Sequence, residues 1–261
     1  MSRNERVNRI LETVTKLGAL DVDDAARRLG VSVATIRRDF DELSNRQLVV
    51  RTHGGIQAIG ASYDLPIRYK TSKANQVKQH IARRAMAMVQ PGMVLGMNGG
   101  TTTTECARFI GQNPTFQRPG GDTGLTVVTN AINIATELVI RSHIKIVVTG
   151  GVARPQSYEL TGEWDGGLLD SLTLDIAFMG VNAVNHIDGA MAQHEGEAII
   201  NKKIADAANR VIVVTTSDKI GPRAFAKFCP TNRISAIVTD SGISPEMVSV
   251  WESEGVEIVI A

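Results

Sequence analysis

The chain has 261 residues, 43% of them apolar and only 4% aromatic, a composition that favours a compact α/β protein and excludes a disordered one. Its 28 basic and 27 acidic side chains nearly balance, but residues 1–84 carry 16 basic against 9 acidic groups, which predicts a polyanionic partner for the front of the chain. The polar start MSRNERVNRI and the lack of an apolar run near 18 residues argue against export and membrane spanning, so we expect a cytoplasmic protein.

Three short helices are predicted within the first 45 residues. Apolar residues recur at helical spacing over residues 4–16, which indicates the first helix. Asp21 and Ser32 then stand at N-cap positions before a second and a third helix, and Gly30 separates these two. Two capped helices joined by a short turn are the pattern of a helix-turn-helix.

The third helix carries the residues that we expect to recognise DNA. Ile36, Phe40 and Leu43 lie at i, i+4 and i+7 and are predicted to be buried. The opposite face then presents small and basic side chains, which the DNA major groove accepts, since an arginine can reach guanine O6 and N7. The predicted DNA-binding residues of this segment are Ser32, Ala34, Thr35, Arg37 and Arg38.

A β-hairpin wing is predicted where Leu48-Val-Val-Arg-Thr-His-Gly-Gly55 alternates weakly and ends in a turn. Arg51 and His53 lie near its tip and are expected to contact backbone phosphates. The alternative is a small three-helix packing module whose arginines form a solvated face. The capped helices, the turn and the basic wing together favour DNA binding, so residues 1–57 are predicted to form a winged helix-turn-helix domain, followed by a linker over 58–75.

Residues 76–261 are predicted to form an α/β domain with a mostly parallel sheet. Apolar runs typical of buried strands occur at 93–97, 125–129, 144–149, 174–180, 210–215, 236–239 and 256–260. Helices are expected over 75–89, 103–110, 131–140 and 197–208. Runs that are apolar on both faces and alternate with helices indicate a parallel sheet covered on both sides. Ligands of such folds collect beyond the carboxyl ends of the strands.

Glycine, threonine and asparagine residues cluster where three of these strands end. Their amides and hydroxyls suit a phosphorylated or otherwise anionic effector, although ordinary capping and turn formation use the same residue types. Two charged residues later in the chain are expected to complete the pocket, Glu197 at the start of a helix and Lys219 after a strand. The predicted effector-binding residues are Asn98, Gly99, Gly100, Thr101, Thr102, Thr103, Thr129, Asn130, Gly150, Gly151, Glu197 and Lys219.

Neither the cysteines nor the histidines form a recognisable site. Cys106 and Cys229 are isolated in sequence and are expected to be free buried thiols. The five histidines lack the spacing of a metal site, so no metal and no cofactor are expected.

The string Leu29-Gly-Val-Ser-Val-Ala-Thr-Ile-Arg-Arg-Asp-Phe-Asp-Glu-Leu43, followed by Arg51-Thr-His-Gly-Gly55, resembles the DeoR family of bacterial transcriptional regulators. Gly99-Gly-Thr-Thr-Thr103 and Ser217-Asp-Lys219-Ile-Gly221 are similar to motifs of its effector domain. That domain is related to ribose-5-phosphate isomerase and binds sugar phosphates or related metabolites. Asn98 and Thr216 stand where the family commonly has Asp, and residues 114–124 look like an insertion.

The resemblance implies a repressor of carbohydrate or related metabolism genes that is controlled by a phosphorylated sugar or similar metabolite and is not an enzyme. Recognition of double-stranded operator DNA normally uses two half-sites, so a homodimer or homotetramer is expected. The alternative is a sugar-phosphate isomerase with an appended DNA-binding module. Glu197 or Asp218 would then act as the base and Lys219 would stabilise an enediolate. The sequence shows no compact carboxylate pair committed to that role, which favours the regulator.

Overall fold

The computed structural model describes residues 1–46, 48–58, 74–116, 124–162 and 167–261. The chain divides into two compact units, Met1–Lys73 and Ala74–Ala261. Nearly all of the predicted linker over 58–75 lies outside the described residues, as do residues 117–123 of the insertion-like stretch. The predicted domain boundaries therefore stay predictions.

The N-terminal unit is a three-helix module with a small antiparallel sheet. Its elements are α1 (Arg3–Leu17), β1 (Ala19–Asp21), α2 (Val22–Leu29), α3 (Val33–Asn45), β2 (Val50–Arg51) and β3 (Gly55–Gln57). The strand order is β1-β3-β2. Side-chain oxygens of Ser2, Asp21 and Ser32 accept backbone N–H groups at the starts of the three helices. The helix-turn-helix and the wing are present as predicted, whereas β1 was not predicted.

A buried ion pair joins α1 to α3. Arg6 Nε lies 2.6 Å from Asp39 Oδ2, and a second guanidinium nitrogen lies 3.1 Å from Asp39 Oδ1. The Asp39 side chain is only 3% exposed, and its hydrogen bonds raise the pKa of Arg6. This two-point contact lies beside an apolar core that includes Ile10, Ile36 and Phe40, and it fixes the recognition helix against α1.

The second unit alternates strands and helices along the chain. Its elements in chain order are α4 (Ala74–Met86), β4 (Val94–Met97), α5 (Thr101–Gln112), β5 (Leu125–Thr129), α6 (Ile132–Leu138), β6 (Ile144–Val148), β7 (Val152–Arg154), β8 (Glu159–Thr161), β9 (Leu174–Met179), β10 (Ala183–Asn185), β11 (Gly189–Ala192), α7 (Glu195–Asp206), β12 (Ala208–Val214), β13 (Ala226–Cys229), β14 (Ile234–Thr239), α8 (Pro245–Ser253) and β15 (Glu257–Ile260). None of the helices in the described ranges has both the length and the apolar character needed to cross a bilayer.

Seven of these strands form one sheet in the order β15-β14-β12-β9-β4-β5-β6, and every neighbouring pair is parallel. Each corresponds to an apolar run predicted from the sequence, so the α/β fold class is confirmed. Alternate residues enter different cores, as Ile176 and Phe178 pack on one face of the sheet and Ala177 and Met179 on the other. Burial on both faces explains why these strands are apolar throughout.

Three features of this unit were not predicted: helix α8, the antiparallel sheet of order β10-β11-β13, and the hairpin β7–β8. The hairpin follows β6 and returns to the carboxyl end of β5, where Glu159 pairs with Ala131 in an isolated antiparallel bridge. Ile132 N–H donates to Tyr158 O at 2.8 Å in the same contact. The hairpin therefore lies at the edge of the sheet where the effector site was predicted.

Candidate functional site

The outward face of α3 presents the residues predicted to contact DNA. Ala34, Arg37 and Arg38 are exposed, and Thr35 is half-buried. Ser32 Oγ lies 3.2 Å from Thr35 N and 2.9 Å from Thr35 Oγ1, so Ser32 also caps the helix. The structure brings all five residues to the start of one helix, and their contact with DNA stays a prediction.

Arg51 links the wing to the recognition helix. Its Nε donates to Asp41 Oδ1 at 3.0 Å, and another guanidinium nitrogen donates to Gly55 O at 2.8 Å. The guanidinium carbon also lies 5.5 Å from the centre of the Phe40 ring. This anchoring role was not anticipated from the sequence, whereas His53 is exposed in the hairpin turn as expected.

The predicted effector residues gather along one edge of the large sheet. Strands β4, β5 and β6 are neighbours, so Gly99, Asn130 and Gly150 follow adjacent strand ends. Thr149 N–H donates to Thr129 O at 3.0 Å, which ties the ends of β5 and β6 together. The loop after β4 runs directly into α5, whose N-cap residue supplies no side-chain acceptor for the first amides. Uncapped amides at the positive end of a helix favour an anion.

Fewer threonine hydroxyls are available for binding an anion than the sequence suggested. The hydroxyls of Thr103 and Thr104 donate to Gly100 O at 3.1 and 2.6 Å. Thr102 and Thr103 are buried, and Thr101 at the start of α5 is half-buried. The donors that the loop can offer to an anion are therefore mainly backbone amides.

Asn98 fixes this loop to the neighbouring strand. Its Nδ2 donates to Gly180 O at 2.9 Å, and its Oδ1 accepts the Gly180 N–H at 2.7 Å. Lys219 reaches the next residue, since its Nζ donates to Val181 O at 2.8 Å. Both side chains thus lie at the predicted edge and bind the backbone that follows β9.

Glu197 is paired with an arginine that the sequence reading missed. Glu197 Oε1, in the first turn of α7, lies 3.0 Å from a guanidinium nitrogen of Arg154 at the end of β7. The two side chains are 6% and 16% exposed, so the pair is largely shielded from water. Nothing in the local sequence links these residues, which are 43 positions apart.

Glu159 is the second residue that the sequence reading missed. Its Oε1 accepts the Gly99 N–H at 2.6 Å, and the residue is almost fully buried. Burial raises the pKa of Glu159 to about 8, and the nearby negative charge of Glu197 adds to the shift. Glu159 therefore holds a proton at neutral pH, and the site contains a buried pair of carboxyl groups beside Arg154.

Asn130 contributes an unsatisfied acceptor. The residue is fully buried, and its Nδ2 donates to Leu160 O at 3.3 Å. Its Oδ1 has no hydrogen-bond partner among the described residues. An unpaired buried acceptor costs about 1–3 kcal/mol, so a donor group that reached this oxygen would be stabilised there.

The cysteines are structural. Cys106 and Cys229 are both buried with free thiols, as expected. Burial raises the pKa of Cys229 to about 11 and that of Cys106 still further, so neither is a reactive thiolate at neutral pH. Within the described parts of the chain, no group of three or more His, Cys, Asp and Glu side chains could hold a metal ion.

Comparison with known proteins covers both units. The sequence model of the DeoR C terminal sensor domain matches residues 73–241, and that of the DeoR-like helix-turn-helix domain matches residues 6–61. The chain is 30% identical over 256 residues to the HTH-type transcriptional regulator GlpR of Haloferax volcanii, covering 98% of this chain and 96% of that protein. It is 26% identical over 253 residues to the glycerol-3-phosphate regulon repressor of Escherichia coli K12, covering 97% and 95%. Ribose 5-phosphate isomerase A from Neisseria gonorrhoeae superposes with a TM-score of 0.42 and 17% identity, covering 58% of this chain and 56% of that one.

Proposed function

This chain belongs to the DeoR family of transcriptional regulators, and from that premise we propose that it is a repressor of carbohydrate or related metabolism genes. A phosphorylated sugar or similar metabolite is the proposed effector. The E. coli relative is named a repressor, and its name includes the phosphorylated compound glycerol 3-phosphate. Repression and control by a phosphorylated metabolite are proposals for this chain, and the geometry of each of its two units supports them.

The observation that carries the proposal is an edge of the large sheet with free backbone amides, on a chain that also holds a helix-turn-helix domain. The loop 98–100 ends in uncapped amides at the start of α5. Asn130 Oδ1, a buried acceptor without a partner among the described residues, follows the adjacent strand. A phosphate group accepts from amides, and a sugar hydroxyl can donate to an amide oxygen, so one sugar phosphate satisfies both.

Control of DNA binding requires two arrangements of the protein. The effector must bind the DNA-free arrangement more tightly than the DNA-bound one, because equal affinity would shift nothing. A homodimer or homotetramer in the cytoplasm would place two recognition helices on two half-sites of double-stranded DNA. Each protomer would then contribute Arg37 and Arg38 to one half-site.

Fluorescence anisotropy with a labelled operator tests this function. A duplex selected by the protein from a random pool supplies the operator, and phosphorylated sugars are titrated beside their dephosphorylated counterparts. We expect at least one phosphorylated sugar to weaken operator binding, while its dephosphorylated form has no effect. At a hundred times its dissociation constant, that effector should also stabilise the protein by roughly 2.7 kcal/mol.

A variant of the loop locates the effector. Thr101→Asp places a carboxylate at the first position of α5, where it repels a phosphate, so the variant should bind operator and ignore the effector. Thr136→Asp is the matched control because Thr136 is exposed on α6. An unchanged effector response in Thr101→Asp would mean that the effector binds elsewhere. If the protein selects no duplex from the random pool, that result would argue against a regulator.

The second candidate function is a sugar-phosphate isomerase. One observation favours it, since the structure provides the carboxyl pair that the sequence did not reveal, Glu159 beside Glu197. However, Glu197 Oε1 is held by Arg154 at 3.0 Å in a largely shielded ion pair, so this oxygen is engaged by the protein itself and not by a substrate. We therefore expect no interconversion of pentose or hexose phosphates by the purified protein. Turnover that is lost in Glu197→Gln would establish an enzyme.

A further inference from the structure

The side chain of Glu159 lies on residues 98–100, the glycine loop between β4 and α5, which is proposed to hold the effector. Its Oε1 is 2.6 Å from Gly99 N. A Cβ atom added to Gly99 would come within 2.4 Å of Glu159 Cγ and 2.7 Å of its carboxyl carbon. The close approach that a glycine permits at this position is therefore used by the protein's own carboxyl group.

The hairpin β7–β8 delivers Glu159 to this place. Glu159 on β8 lies opposite Arg154 on β7 in the strand register, and the backbone of Glu159 forms a bridge with Ala131. The residue after Glu159, Leu160, donates its N–H to Asn130 O at 2.7 Å. The preceding residue, Tyr158, has a φ of 59°, in the left-handed region that a bulky side chain disfavours. The hairpin thus holds Glu159 against the loop even at the expense of local backbone strain.

The groups around Glu159 include hydrogen-bonding capacity that Glu159 does not use. Asn130 lies beside Glu159 and keeps its Oδ1 without a partner among the described residues. Removal of the Glu159 side chain would leave the Gly99 amide, Asn130 and the Arg154–Glu197 ion pair around the vacated volume. The Gly99 N–H would then be a free donor for an anionic oxygen at the start of α5.

We propose that Glu159 is a built-in occupant of the effector site, which an anionic effector must displace from the Gly99 amide. This inference rests on the proposed function, because it assumes that an anion belongs at the loop. Displacement lowers the affinity of every ligand by the same factor, since only the fraction of molecules with an open loop can bind. A small anion has few contacts with which to offset that loss, whereas a whole sugar phosphate has many. Glu159 therefore sets an affinity threshold, which free inorganic phosphate does not reach and a whole sugar phosphate does.

Binding of inorganic phosphate to the full-length protein tests the proposal, measured by isothermal titration calorimetry and by thermal shift. Glu159→Ala vacates the loop, and Glu159→Ser does so with a small polar residue should the alanine variant fold poorly. Both are expected to bind phosphate at least about tenfold more tightly than the wild type. Glu159→Gln keeps the volume and the acceptor oxygen, so it should bind phosphate like the wild type. Glu195→Ala removes a carboxylate from the exposed start of α7 and controls for charge alone, with no change expected.

Each other result overturns the inference in a distinct way. Equal phosphate affinity in the wild type, Glu159→Ala and Glu159→Ser would show that Glu159 does not obstruct the loop, while the proposed anion site would stand. Weaker binding in Glu159→Ala would make Glu159 part of the ligand-holding structure instead. Equally tight phosphate binding by Glu159→Gln and Glu159→Ala would mean that Glu159 weakens phosphate binding through its charge and not through the volume that it occupies. If none of the proteins binds phosphate, both this inference and the proposed anion site fail.

Discussion

The side-chain amide of Asn98 and the backbone of Gly180 form a closed pair of hydrogen bonds, with Nδ2 donating to the carbonyl oxygen and Oδ1 accepting the N–H. The pair joins the end of β4 to the end of β9 and sets the start of the glycine loop. An aspartate at this position would have no N–H with which to donate to Gly180 O. The asparagine of this chain is therefore matched to its partner's carbonyl group.

Asn98→Asp should destabilise the second unit by about 1–3 kcal/mol at neutral pH. The substitution removes the donor to Gly180 O and leaves a buried carbonyl facing a carboxylate. Asn182→Asp is the matched control, because Asn182 accepts the Gln193 N–H through Oδ1, a role that a carboxylate keeps. Urea unfolding followed by circular dichroism measures both variants. Equal losses at the two positions would remove the donor from the explanation.

Arg6→Ala should destabilise the N-terminal unit by about 3–5 kcal/mol, because it leaves the Asp39 carboxylate buried without a counter-charge. Arg28→Ala breaks an ion pair with Asp24 of similar length, 2.7 Å, but on the exposed surface of α2. That control should cost no more than about 1 kcal/mol. Hydrogen exchange of the amides in α1 and α3 reports the loss within this unit. Similar exchange rates in the two variants would contradict a special role for the buried pair.

The large sheet could be predicted from sequence because its strands are buried on both faces. Leu125, Val127 and Val128 make Leu125–Thr129 mostly apolar, and the structure has a strand with the same bounds. The recognition helix was predictable for a similar local reason, since Ser32 caps it and Ile36 and Phe40 recur at helical spacing. Signals of this kind arise within one element and need no knowledge of its neighbours.

The centre of the proposed effector site could not be predicted because it is made of contacts between residues that are distant in sequence. Glu159 meets Gly99 across 60 positions and Arg154 meets Glu197 across 43. The hairpin that carries Glu159 and Arg154 has three-residue strands around a polar turn, which reads in sequence as a loop. Helix α8 is a different case, because Ser244 and the proline after it are an available start signal that the sequence reading overlooked.

Arg38→Ala should lower the affinity for the operator by roughly 1–3 kcal/mol while leaving affinity for random DNA nearly unchanged. Arg38 is exposed on the face of α3 that is predicted to enter the major groove. Arg51→Ala should weaken binding to both DNAs alike, because Arg51 positions the wing through Asp41 and Gly55. Anisotropy titrations with the two duplexes at one salt concentration separate the variants. Equal losses on both duplexes for Arg38→Ala would refute a base contact.

Stability should fall as the pH rises from about 5 to about 8, with Glu159 as a main cause. Its pKa is raised to about 8 in the folded protein from 4.5, because it is buried beside Glu197. Within this window the folded state holds the proton that the unfolded state has lost, so the stabilisation is fully present below about 4.5 and is lost above about 8. The slope contributed by one group is at most about 1.4 kcal/mol per pH unit.

Glu159→Gln removes this titration and should make the pH dependence of urea unfolding shallower over the same window. The amide can still accept the Gly99 N–H, so stability at the alkaline end should not be lost. Glu195→Gln serves as control, because Glu195 is an exposed carboxylate on the same helix as Glu197. Identical slopes in the wild type and in Glu159→Gln would show that Glu159 titrates normally.

A fragment ending at residue 60 should bind the operator at least about a hundredfold more weakly than the full protein. Residues 1–55 hold 10 basic and 8 acidic side chains, so one module has little non-specific attraction for DNA. In the proposed homo-oligomer, tight binding would then come from two modules held at a fixed spacing by the second units, which raises the effective concentration of the second module.

Sedimentation and fluorescence anisotropy at matched salt test this dependence, since salt alone shifts such affinities by orders of magnitude. The fragment is expected to be a monomer with a stable fold, because its core around Ile10, Ile36 and Phe40 and the Arg6–Asp39 pair lie entirely within it. Retained fold with lost affinity would assign the deficit to the missing second module and not to unfolding. A monomeric fragment with the affinity of the full protein would instead mean that the second unit takes no part in holding DNA, and that its effector acts on something other than the spacing of two recognition helices.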